Sequence, residues 1–68
     1  MADSTYKVIE LVGTSTKGWE EAAKAAVNKA GESLKNLRIA EISKLDMTME
    51  EGNIVRFRAR ETLSFKIE

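Results

Sequence analysis

From Tyr6 to Val12 the chain is rich in β-branched residues, and Gly13 ends the run. Such a segment predicts a strand, with Gly13-Thr14-Ser15 turning the chain and the Ser15 hydroxyl capping the helix that follows. At Thr16 the apolar residues take up a period of 3.6. Trp19, Ala22, Ala23, Ala26, Val27, Ala30 and Leu34 fall on one face, and Glu20, Glu21, Lys24, Asn28, Lys29, Glu32 and Lys35 on the other. This spacing predicts a helix of about 20 residues, roughly 30 Å long. Glu20 and Lys24 stand in the favourable i,i+4 order. The inner face is mostly alanine, and such small side chains let a helix axis lie close to a supporting sheet.

After Asn36 the pattern is extended again. Leu37 to Met49 predicts a long second strand and Ile54 to Ile67 a third. Glu50-Glu51-Gly52-Asn53 forms the turn between them, with Gly52 and Asn53 at positive φ. The third strand alternates most cleanly. Val55, Phe57, Ala59, Leu63, Phe65 and Ile67 share one face, interrupted only by Glu61; Arg56, Arg58, Arg60, Thr62, Ser64 and Lys66 share the other.

A strand, a crossover helix and a second strand favour a right-handed unit. If the third strand inserts between the first two, every neighbour is antiparallel. The prediction is an α+β fold, β-α-β-β, with a three-stranded antiparallel sheet of order 1-3-2 on one helix, in one domain spanning 1–68. The second and third strands are each predicted at about 13 residues, against a usual 5–6. One helix and a short first strand cannot cover such a hairpin. Leu45, Met47, Met49 and Phe57 near its far end would be left wet, and another copy of the chain is the simplest cover.

Length and composition point the same way. A chain of 68 residues buries too little surface to be comfortably stable alone. With no cysteine and no histidine, disulfides, thiolate metal sites, the usual zinc ligand and the usual general base are all missing, which leaves oligomerisation as the staple and argues against an enzyme. Eleven basic residues balance eleven acidic ones, so the excess positive charge on which nucleic-acid binding rests is absent. An RNA-binding sheet using Phe57 and Arg58 is disfavoured further, because alternation puts them on opposite faces. The start, Met-Ala-Asp-Ser-Thr-Tyr, has no basic residue before an apolar run and does not read as a signal peptide, and no apolar stretch is long enough to span a membrane. The expected location is the cytoplasm.

Several residues carry candidate chemistry. Trp19 reads first as a core anchor on the alanine face and second as a ligand-stacking ring. Arg56, Arg58 and Arg60 form a basic ladder, which implies either ion pairs, with Glu41, Asp46 and Glu61 as candidates, or an anionic ligand. Asp46, Glu50 and Glu51 offer hard oxygen ligands to calcium, although no dedicated calcium loop is present and a solvated turn is the favoured reading. Thr14, Ser15 and Thr16 lack a base to activate them. Gly13-Thr14-Ser15 before a helix suits a cap better than a phosphate cradle.

The run Tyr6-Lys7-Val8-Ile9-Glu10-Leu11-Val12-Gly13-Thr14-Ser15 resembles the opening of the dodecins. The alanine-rich helix, Asn36-Leu37 before a long strand, and the closing Leu63-Ser64-Phe65-Lys66-Ile67 extend the likeness over nearly the whole chain. The resemblance implies a hollow homododecamer that binds, stores or buffers a small ligand without catalysis. Typical members hold flavins in pairs, by a stacking tryptophan on the second strand and a glutamine on the third. The matching positions here are Ile39 and Arg58, with Lys44 and Thr48 as further ligand-binding candidates. Ile39 offers no flat π-face, and Arg58 only donates. The resemblance therefore implies a degenerate site holding FMN or riboflavin weakly at most. Arg38-Ile39-Ala40, Leu45-Asp46-Met47 and Trp19 are similar to the calcium dodecin branch, which lacks the stacking tryptophan. That likeness implies, as the alternative, a structural or ion-binding shell with calcium and without flavin.

Overall fold

A computed structural model of the chain describes residues 3–67. Four elements follow one another: β1 (Thr5–Ser15), α1 (Trp19–Gly31), β2 (Leu37–Glu50) and β3 (Asn53–Ile67). β3 lies between β1 and β2, antiparallel to both, so the sheet order is 1-3-2, as the patterning predicts.

The register sorts the side chains onto two faces. Ile9, Leu11 and Gly13 of β1 stand opposite Leu63, Glu61 and Ala59 of β3 on the helix side. Ala40, Ile42 and Leu45 of β2 stand opposite Leu63, Glu61 and Ala59 on that same side. The core is small: Ala22, Ala26 and Ala30 of α1 meet Ala59 and Leu63, all buried. Ala25, on the outer side of the helix, is exposed. The alanines allow a very close approach. A Cβ added at Gly13 would overlap the Ala22 carbonyl oxygen and lie 3.0 Å from the Ala26 Cβ.

Gly13, Thr14 and Ser15 are therefore strand, not turn. They remain paired with Ala59, Arg58 and Phe57, and Gly13 is required by the helix backbone above it. Continued pairing also keeps Ser15 from capping the helix. The N-cap is Gly18, which has no side-chain cap bond, and its carbonyl accepts from the Ala22 N–H at 3.0 Å. The Ser15 hydroxyl oxygen instead accepts from the Lys17 N–H at 3.0 Å.

The helix has 13 residues and is shorter than its periodicity suggests. It ends in tight turns, with the Ser33 and Leu34 N–H groups both donating to the Ala30 carbonyl. Leu34 lies outside the helix but stays half-buried. Asn36 takes a φ of 62°, which asparagine tolerates well, and its carbonyl accepts from the Lys66 N–H at 3.0 Å. At the hairpin the positive φ values fall one residue earlier than expected, on Glu51 (50°) and Gly52 (79°), because Glu50 and Asn53 already pair. Two central residues at positive φ make a tight turn matched to the right-handed twist of the strands.

Length decides the shape. The helix spans about 20 Å, whereas the 15 residues of β3 reach about 50 Å. The long dimension of the molecule is 54 Å, and its radius of gyration of 14.2 Å exceeds the roughly 11 Å of a compact chain this long. α1 covers β1 and β3 at one end only. β2 is exposed along its whole length after Leu37.

Candidate functional site

The face of the sheet turned away from α1 carries every residue assigned to ligand binding from the sequence. Register places Ile39 opposite Ser64, Lys44 opposite Arg60, Asp46 opposite Arg58 and Thr48 opposite Arg56. From β1 the same face receives Val8, Glu10, Val12 and Thr14, opposite Ser64, Thr62, Arg60 and Arg58. The face thus divides into two ends. Tyr6, Val8 and Ile39 form an exposed apolar end; Lys44, Asp46 and the three arginines form a charged end.

Within one chain these ends are separate. Ile39 is level with Ser64, six positions along β3 from Arg58, a distance of roughly 20 Å. Ile39 and Arg58 can meet one ligand only if they come from different copies. Ile39 is 57% exposed and aliphatic, and the Arg58 guanidinium is already engaged.

That engagement is with Asp46. Arg58 Nε donates to Asp46 Oδ1 at 2.7 Å and Arg58 Nη2 to Asp46 Oδ2 at 3.0 Å, a bidentate pair of parallel bonds. The bonds from Arg58 hold the Asp46 carboxyl below the usual carboxylate range, and the charge of Arg60 adds to the effect. Asp46 is tied from the other side as well. The Trp19 indole N–H donates to its backbone carbonyl at 3.0 Å, and the Trp19 ring meets Phe57 edge to face, centroids 5.2 Å apart. Trp19 is thus an anchor between helix and sheet.

Of the three suggested ion-pair partners for the arginine ladder, only Asp46 takes an arginine. Arg60 reaches Glu10 at 4.0 Å, a partner that patterning missed but that order 1-3-2 puts on the correct face. Glu41 stands opposite Thr62. Glu61 cannot reach the ladder: it lies on the helix side, fully buried, and neither carboxylate oxygen has a hydrogen-bond partner among the described residues. Burial pushes its carboxyl above the usual range.

The calcium candidates do not converge in one chain. Asp46 is held by Arg58 and has Lys44, Arg56 and Arg60 as register neighbours, a poor setting for a second cation. Glu50 faces Asn53, and Glu51 sits at the tip of the turn. Among the described residues no three carboxylate, histidine or cysteine groups gather as a metal site. An open groove of about 340 Å³ runs between Leu11–Thr14 of β1 and Ala25, Ala26 and Lys29 of α1, away from all of these positions. Among the described residues no helix is long and apolar enough to cross a membrane.

Comparison with known proteins supplies the rest. The dodecin family model matches residues 5–68. The calcium dodecin of Mycobacterium tuberculosis is 38% identical over 64 residues, covering 94% of this chain and 90% of that protein. The fold of the Streptomyces coelicolor dodecin superposes with a TM-score of 0.92 at 32% identity, over 100% of this chain and 97% of that one. A crystal structure of the M. tuberculosis calcium dodecin, described as calcium-chelating with a novel calcium-binding site, gives 0.84 at 39% identity, over 96% and 93%. Sequence match and fold agree over almost the full length, and the chain belongs to the dodecin family.

Proposed function

We propose that this chain forms one domain that assembles into a closed homododecamer, a hollow non-catalytic shell that binds, stores or buffers a small ligand. The observation that carries this reading is the sheet left uncovered on both faces. Ile42, Leu45 and Met47 are 43%, 52% and 39% exposed on the helix side, and Tyr6, Val8 and Ile39 are 45%, 54% and 57% exposed on the other. A chain with wet apolar side chains on both faces needs cover on both, and further copies of itself supply it with symmetry. The ligand face is then the one turned away from α1. Its flavin site is degenerate: Ile39 gives no stacking surface, and Arg58 is committed to Asp46. FMN or riboflavin would be held weakly. The cytoplasm is the expected location.

A second reading rests on the likeness to calcium dodecin: an ion-binding shell without flavin. Carboxylates that do not converge within one chain, Glu50 and Glu51 first among them, would then converge between copies about a symmetry axis.

Light scattering combined with ligand titration tests both. About twelve chain masses are expected, with riboflavin fluorescence little changed. Calorimetric uptake of calcium by the assembled protein favours the second reading. A stable folded monomer rules out the shell.

A further inference from the structure

Glu61 is a carboxyl group where the pattern calls for an apolar side chain. Its cross-strand neighbours are Leu11 of β1 and Ile42 of β2, with Ala59 and Leu63 beside it along β3. It is 0% exposed, and both carboxylate oxygens lack partners among the described residues. The opposing strand is irregular at this level. β2 slips register between Ile42 and Lys44, so Ser43 bulges out and its hydroxyl donates to the Arg60 carbonyl rather than to Glu61.

Among the described residues no cation compensates the acid from any element packed against it. On β1 the one titratable residue of the helix side is Lys7, opposite Phe65 and roughly 13 Å along the strand from Leu11. β2 presents Ala40, Ile42, Leu45 and Met47 to that side. The charged residues of α1 are exposed: Glu20 pairs with Lys24 at 3.2 Å, Lys29 pairs with Glu32 at 3.6 Å, and Glu21 faces outward. The Trp19 indole N–H is given to Asp46. A buried carboxylate with neither charge nor donor beside it is strongly disfavoured, whereas the neutral acid is tolerated.

We propose that Glu61 is a proton-operated latch beneath α1: with its proton the helix lies on the sheet, and without it the helix lifts so that the carboxylate reaches water. The direction follows from the burial. A glutamate outside the fold titrates near 4.5, and burial raises Glu61 above that. Below 4.5 folded and unfolded chains both keep the proton, and nothing is lost. Above it the unfolded chain releases a proton that the folded chain retains, so stability falls as pH rises, by up to about tenfold in the folding equilibrium per pH unit, until the folded carboxyl ionises too. Because Trp19 begins α1 and bonds to Asp46, movement of the helix also reaches the Asp46–Arg58 pair on the opposite face.

The chain has one tryptophan, Trp19, so its emission reports the helix directly. Unfolding midpoints and Trp19 emission are measured from about pH 5 to about pH 10 for the wild type, Glu61→Gln and Glu61→Leu. The Glu61 carboxyl is titrated in the wild type by carbon NMR. The expected wild-type result is a falling midpoint and a red shift of Trp19 emission that tracks ionisation of Glu61, with a flatter profile and no matching red shift in Glu61→Gln. If Glu61→Leu overpacks and fails to fold, Glu61→Gln and the wild-type titration still decide. Titration of Glu61 near 4.5 overturns the proposal. So does the same alkaline red shift in Glu61→Gln, or the absence of any wild-type transition.

Discussion

Gly13 of β1 passes so close beneath Ala22 of α1 that a single added methyl group would collide with the Ala22 carbonyl oxygen. A carbonyl in a hydrogen-bonded helix cannot turn aside as a side chain can, so the whole helix must move. Gly13→Ala is expected to lower stability by about 1–3 kcal/mol, the usual range for overpacking. Gly31→Ala meets nothing within 4 Å and should be neutral or slightly stabilising. Denaturant midpoints of the two variants check the contrast; equal losses would mean that Gly13 does not set the helix–strand distance.

The same close packing sorts the alanines. Ala26 is 6% exposed beneath the helix, and Ala25 is exposed above it. Ala26→Leu should cost about 1–3 kcal/mol, with Ala25→Leu near zero. Thermal unfolding of both variants distinguishes them.

The hairpin turn carries a removable strain. Glu51 holds a φ of 50°, in the left-handed region that costs a glutamate more than an asparagine. Glu51→Asn should raise stability by a few tenths to about 1 kcal/mol, because asparagine visits this region readily. Gly52→Ala should lower it by about 1–2 kcal/mol, since φ at that position is 79°. Calorimetry at neutral pH reads both shifts.

Asp46 shapes the acid side of the stability profile. Its carboxyl is depressed by Arg58, so the contribution of the pair is complete above the ordinary value of 3.8 and is lost as pH falls through the lower folded value. Asp46→Asn should therefore be less stable than the wild type at neutral pH, and the two should converge in strong acid. Trp19 emission should stay the same in the variant, because its indole N–H bonds to the backbone of Asp46 and not to its carboxylate. Parallel curves down to strong acid would remove Asp46 from the account.

Flavin binding should be poor for local reasons. Loss of stacking at Ile39 removes about 0.5–1.5 kcal/mol, and a mispaired polar contact at Arg58 about 1–3 kcal/mol. Together these weaken binding by roughly one to three orders of magnitude. Ile39→Trp combined with Arg58→Gln should restore part of the quenching of riboflavin fluorescence. The restoration should appear only in the assembled protein, since the two positions are roughly 20 Å apart along one chain. Tight binding by the unaltered protein would contradict the expectation.

Periodicity made the strand order and the helix face legible, because alternation in β3 and the alanine stripe in α1 are local signals of burial. It overextends the helix at both ends, since spacing alone sees neither that Ser15 is still paired with Phe57 nor that the chain leaves the helix in tight turns on the Ala30 carbonyl. Gly13 is a close backbone contact rather than a turn, and a glycine marks both with the same letter. Asp46 was a nameable partner for Arg58, one register step across the hairpin. Glu10 became one only once β1 was set beside β3. Glu61 is legible in the alternation as the one break in the apolar face of β3, and the same parity keeps it from pairing with the arginines on the opposite face.

The strand at the centre of the sheet is the last of the three to leave the ribosome. β1 has no partner until residues 57–67 have been made, and β2 has none until the hairpin closes. Hairpin closure is a short-range event, whereas joining β1 to β3 encloses the helix and all of β2 in one loop and is correspondingly slow. During synthesis the nascent chain therefore carries an unpaired β1 edge and an unsupported amphipathic helix, both prone to engage neighbouring chains. Crowded polysomes making this protein would be a place where early encounters between copies begin.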